Sequence, residues 1–100
     1  MKTLHIINKT DDHALVWNPC LAALREGDTL LLIENATSLA VSLNDKDSVL
    51  SHVPSGVTIR FLLPDLDARG LTSLVNEQQW VTDTEFVSLC FEHDNNISWF

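Results

Sequence analysis

Three apolar runs limit what this chain can fold into. They are TLHIIN at residues 3–8, TLLLIEN at 29–35 and VTIRFLL at 57–63. Each reads as a nearly continuous apolar run. A strand with one face in water alternates; a strand covered on both faces does not, and parallel sheets are built from the second kind. The runs predict strands at residues 3–8, 29–34 and 57–63, buried on both sides. Helical stretches lie between them, so the pattern reads as α/β with a parallel sheet.

The intervening segments carry their own punctuation. WNPCLAAL at 17–24 places Asn18 as a helix cap and Pro19 as the first helical residue. Pro19 would break a helix begun at Asp12, so residues 12–18 are expected to be irregular or a separate turn. Gly27 is the expected stop. Residues 36–44 and 46–53 read as weak helix, because Ser and Thr lower the propensity, and Pro54-Ser55-Gly56 reads as a turn. PDLDARG at 64–70 is a short helix closed by Gly70, with Asp65 and Arg69 spaced to pair on its surface. QWVTD at 79–83 is a candidate fourth strand. Thr82 or Asp83 caps the next helix, with Glu85 completing a capping box. That helix carries a stripe of Phe86, Leu89, Cys90 and His93, and ISWF at 97–100 forms a fifth strand.

The chain has 100 residues, enough for one domain spanning 1–100 and one core. Its 14 acidic residues face six Lys and Arg, for a formal charge of −8, and no Lys or Arg follows Arg69. Nucleic-acid binding works by neutralising phosphates with cations, so direct binding to RNA or DNA is not expected. No apolar run reaches the length of a membrane span, and the opening MKTLHIINKT is too short for a secretory core, so the expected setting is the cytoplasm. Reduced cysteines follow from that setting.

Motifs for catalysis are sparse. Gly27, Gly56 and Gly70 stand alone, with no phosphate-cradling loop, and no G-x-S-x-G elbow is present. The four histidines and two cysteines do not repeat in a metal-site spacing, so neither metal nor cofactor is expected. Cys90, on the inward stripe of the last helix, is expected to be buried and inert. Cys20 is the one candidate nucleophile. A helix N-terminus favours thiolate over thiol, while Asp11 and Asp12 close by oppose it. If it belongs to the core instead, it should face Leu4, Ile6 or Leu30.

The ordered set LHIINKT, LREGDTLLLIEN, DLDARGLTS, EFVSLCFEH and SWF, spread over nearly the whole chain, resembles the TusB/DsrH family of sulfur-relay subunits. The stretch from Asp65 to Leu71 and the Trp99-aromatic ending are its most specific pieces. The resemblance implies a three-layer α/β/α sandwich around a five-stranded parallel sheet, the DsrEFH-like fold. It implies an accessory, non-catalytic subunit in a heterohexamer with TusC- and TusD-like subunits. That complex takes persulfide sulfur from TusA and passes it to TusE for 2-thiolation of the tRNA wobble uridine. The main carrier cysteine of the family sits on the TusD or DsrE subunit. The DsrH branch has a cysteine at the place of Cys20, which makes Cys20 a candidate persulfide carrier.

Three departures from the family pattern fall beside the first two strands: Thr10-Asp11 for Ser-Pro, Asn35-Ala36 for Asp-Gly, and Pro19 within the first helix. The second would hand a turn with positive φ to Asn35, or reshape the turn. Other readings remain: a DsrH-type subunit of a sulfur-oxidation complex, a stand-alone thiol enzyme, or an oligomeric binding module without sulfur chemistry. A homodimer of the isolated chain is also open. Trp99 and Phe100 are expected to be pinned in the sheet or against a neighbouring subunit.

Overall fold

The computed structural model describes residues 1–100. Five strands form one sheet: β1 (Thr3–Ile7), β2 (Thr29–Leu32), β3 (Thr58–Leu62), β4 (Trp80–Val81) and β5 (Asn95–Trp99). All pairings are parallel, in the order β4-β3-β2-β1-β5. Three helices accompany them: α1 (Asn18–Ala23), α2 (Leu63–Ala68) and α3 (Asp83–Glu92). A single π-type stretch over His13–Trp17 runs into α1, and short 3-10 helices occupy Glu34–Ser42, Val49–His52, Thr72–Leu74 and Glu77–Gln79. The parallel α/β architecture is the one the apolar runs imply.

The strand order sorts the layers. From β1 to β4 each step moves one place in the same direction, and right-handed crossovers then leave all the connections on one face. Only the step from β4 back to β5 reverses, which sends α3 to the other face. The core divides accordingly. One cluster joins Ile7, Leu30, Leu32 and Phe61 to Val16, Trp17, Cys20, Leu24, Leu50 and Leu66 of the connections. The other joins Leu4, Ile6, Leu31, Ile33, Leu62 and Val81, with Phe86, Leu89 and Cys90 of α3 against it.

β1 and β2 are buried nearly throughout, but β3 is not: Thr58 is exposed, Ile59 and Arg60 are half-buried, and only Phe61 and Leu62 are covered. The reason lies in β4. Two residues long, it pairs only with Phe61 and Leu62, so the first half of β3 is a sheet edge. β5 covers the other edge over its full length, yet Asn95 to Ser98 are exposed.

Several local expectations are corrected. Asn18 does not cap a helix. It has φ −63° and ψ −46°, and the helix passes through Pro19 from the turn before it. Proline lacks an N–H, and its ring collides with the carbonyl four residues back. A wider turn avoids that collision: the Trp17 N–H donates to Asp12 five residues earlier at 3.4 Å, and the Asn18 N–H to His13 likewise. The left-handed start is Asp12, at φ +61°. α1 ends at Ala23, and Gly27, at φ +92°, turns the chain into β2. After β2 the positive φ falls on Glu34 (+49°), not Asn35, and the Asp65 carboxylate accepts from the Glu34 N–H at 2.6 Å. Asp65 therefore does not pair with Arg69, whose guanidinium donates to the Asp65 carbonyl and to Asn35 Oδ1. The weak helices at 36–44 and 46–53 are 3-10 turns instead.

α3 begins as its sequence dictates. The Thr82 hydroxyl accepts from the Glu85 N–H at 3.2 Å and the Glu85 carboxylate accepts from the Thr82 N–H at 3.0 Å. Those bonds hold the Glu85 carboxyl below its ordinary range. No helix is long and apolar enough to cross a membrane.

Candidate functional site around Cys20

Cys20 sits on the inner face of α1 with no exposed surface. It belongs to the cluster that holds Ile7, Trp17, Leu24 and Leu30. Of the three predicted neighbours, Leu30 shares its side of the sheet, while Leu4 and Ile6 belong to the opposite face. Burial alone pushes the thiol up to about 12, because a thiolate there has lost its water. The expected first-turn stabilisation is missing for a physical reason. The helix does not start at Pro19, so no free N–H groups gather around the sulfur. The side chain is a protonated thiol in an apolar setting, and it lines none of the three surface hollows.

Cys90 is half-buried on α3, less covered than its place on the stripe implied. It stands three residues before His93, a close Cys–His spacing. His93 is engaged elsewhere: Nδ1 lies 2.8 Å from the Leu89 carbonyl and Nε2 2.9 Å from the Thr29 hydroxyl. No group of three His, Cys, Asp or Glu side chains converges to hold a metal ion.

The polar feature that sequence reasoning missed lies at the β1–β5 seam. His5 is buried, as a strand histidine is expected to be, but its partners come from far away. Its Nε2 is 3.0 Å from Asp28 Oδ2, and its Nδ1 accepts from the Trp99 indole at 3.1 Å. Indole N–H only donates, so Nδ1 is unprotonated and Nε2 carries the hydrogen, which it gives to Asp28. Asp28 also accepts from the N–H groups of Thr3 at 3.0 Å and Arg25 at 2.9 Å. Burial pushes its carboxyl up, but the bonds from Thr3, His5 and Arg25 outweigh that and hold it below the usual range. Trp99 is thereby fixed, as expected, whereas Phe100 is 59% exposed and nothing in the chain pins it.

Two of the three hollows have apolar as well as polar walls. One of about 380 Å³ lies between α1 and the 3-10 turn at Val49–His52, lined by His13, Asn18, Leu21, Asp47, Val49 and His52. The other, about 300 Å³, runs beside β4 under α3 with Arg60, Trp80, Glu85, Leu89 and Glu92 in its walls. Ser88 also lines the second groove, and its hydroxyl donates to the Thr84 carbonyl at 3.4 Å.

The molecule is thus a small parallel α/β domain whose cysteines are not arranged as an exposed nucleophile with its own base. A family model described as DsrH like protein matches residues 13–96. Over 80 residues the chain is 35% identical to Protein TusB of Salmonella arizonae, covering 79% of this chain and 82% of that protein. The same values hold for Protein TusB of Salmonella paratyphi B and of Salmonella newport. The chain belongs to the DsrH-like family.

Proposed function

We propose that this chain is an accessory subunit of a TusBCD-type sulfur relay. In this reading it joins TusC- and TusD-like subunits in a cytoplasmic heterohexamer. The assembly receives persulfide sulfur from TusA and hands it to TusE, for 2-thiolation of the tRNA wobble uridine. The family and the 35% identity to Protein TusB support the relay. The observation that carries the accessory role is Cys20: a buried thiol pushed up to about 12 is a poor persulfide acceptor. The chain contributes surface and shape, and its partners contribute the sulfur-bearing cysteine. Its acidic balance fits a protein that leaves the tRNA to a downstream enzyme.

The test is to co-express the chain with TusC- and TusD-like subunits, load the purified complex with a persulfide donor and locate the added sulfur by mass spectrometry. The expected result is a stable complex with the sulfur on a partner's cysteine and none on Cys20. Sulfur on Cys20 would make it the candidate carrier again and overturn the accessory role. Failure to form a complex would overturn the relay reading.

A further inference from the structure

β5 is held to the molecule unevenly. Asn95, Asn96, Ile97 and Ser98 are exposed, and Trp99 is the one β5 side chain packed into the core layer. Beyond the ladder to β1, the strand is held by the indole bond to His5 Nδ1 at 3.1 Å and by a longer bond from Asn96 Nδ2 to the Cys90 carbonyl at 3.5 Å. That bond exists only while Nδ1 is unprotonated. A proton added there sets two N–H donors against each other at 3.1 Å. The ring planes lie 14° apart with centroids 6.2 Å apart. With the nitrogens at 3.1 Å, the two rings meet edge to edge, so the indole face is not turned to an imidazolium and cannot compensate as a cation–π partner.

The surroundings allow the proton to be accommodated. Asp28, facing Nε2 from β2, already accepts three donors and is charged, so a protonated His5 gains an ion pair on that side as it loses the indole on the other. Other charged groups do not oppose it. The Arg25 guanidinium is turned to the carbonyls of Ala22 and Leu24. Asp94, just before β5, accepts from the Lys2 N–H, and His93, just after α3, is hydrogen-bonded to the Thr29 hydroxyl.

We propose that His5 and Trp99 form an acid-sensitive latch on β5. A proton from solvent binds His5 Nδ1, the indole hydrogen bond breaks, the imidazolium keeps its Nε2–H bond to Asp28, and β5 loosens from the sheet. Release passes the sheet edge from β5 to β1.

The test uses the full chain labelled with 15N, taken from about pH 8 to about pH 5. The Trp99 indole N–H is followed beside two internal references, the indoles of Trp17 and Trp80, which donate to the carbonyls of Lys9 and Val75 and face no titrating acceptor. The expected result is a Trp99 indole shift coincident with protonation of the His5 ring. Amide protection over residues 95–99 should fall about five- to tenfold, the scale of one lost hydrogen bond, while Trp17 and Trp80 stay put. Trp99→Phe removes the donor and keeps a ring; His5→Asn keeps an acceptor that does not titrate. In both, the protection of β5 should lose its pH dependence. The latch is refuted if His5 takes up a proton while the Trp99 indole is unmoved, if His5 stays neutral throughout the range, or if both variants keep the wild-type pH response.

Discussion

Replacing Cys20 with alanine separates a packing thiol from a working one. The change deletes one buried sulfur and leaves a small void among Ile7, Trp17, Leu24 and Leu30. Lost burial and the residual cavity together cost about 1–2 kcal/mol. For a chain of 100 residues, with a urea slope of about 1–1.5 kcal/mol per molar, the unfolding midpoint falls by about 1 M. Alanine is the informative substitution, because serine would bury a hydroxyl and confound stability with chemistry. Alkylation provides the second measurement. With the thiol pushed from about 9 up to about 12, its thiolate fraction near neutral pH falls about 1,000-fold. Cys20 should therefore react about 1,000-fold more slowly than free cysteine while the chain is folded. Cys90, half-buried on α3, should label first. The reasoning fails if Cys20 in the folded chain alkylates within about tenfold of free cysteine, or if Cys20→Ala leaves the urea midpoint unchanged.

Two further outcomes follow from bonds described above. Thr82→Ala removes the side-chain half of the α3 capping box and should cost about 1 kcal/mol, read as a fall in Tm of about 4–8 °C. Asp28→Asn should destabilise the chain near neutrality and flatten its acid response. The wild-type carboxyl is held below its unfolded value of about 3.9, so between the folded and unfolded values the unfolded chain binds the extra proton. Stability from Asp28 is thus complete above about pH 4 and is lost as pH falls through the folded value; urea titrations at a series of acidic pH values read both limbs.

How much of this was legible beforehand depended on range. The runs at 3–8 and 29–34 announced doubly covered strands, because their apolar residues are contiguous and the cover is complete. The run at 57–63 was read the same way, yet half of β3 is an edge. The signal was there: Val57-Thr58-Ile59-Arg60-Phe61 alternates apolar with polar, the pattern of a strand with one face in water, while the shortness of β4, some twenty residues on, is not encoded in the run. At Pro19 the local rule was sound, but the structure found a third option between breaking and capping, a widened turn that removes the clash. Capping at Thr82 and Glu85 was readable because both partners lie within one turn. The His5 site was not readable: His5 and Asp28 are 23 residues apart, His5 and Trp99 94, and only the strand order brings them together. Cys20 was visible as a candidate, but whether its sulfur faced water depended on the same tertiary packing.

The place of β5 beside β1 also governs how the chain comes into being. Thr3 pairs with Asn95, and Ile7 with Trp99, so β1 leaves the ribosome about ninety residues before the strand that covers this edge. Synthesis proceeds N-terminus first, and β2, β3 and β4 can add to one side of β1 as they emerge. Throughout that time the other side of β1 is a bare row of backbone donors and acceptors, with Leu4 and Ile6 lacking the helix that will cover them. A chain without α3 and β5 would carry a four-stranded sheet with one hydrophobic face and one sticky edge exposed. The interval before those two elements dock is when this chain needs protection from its neighbours.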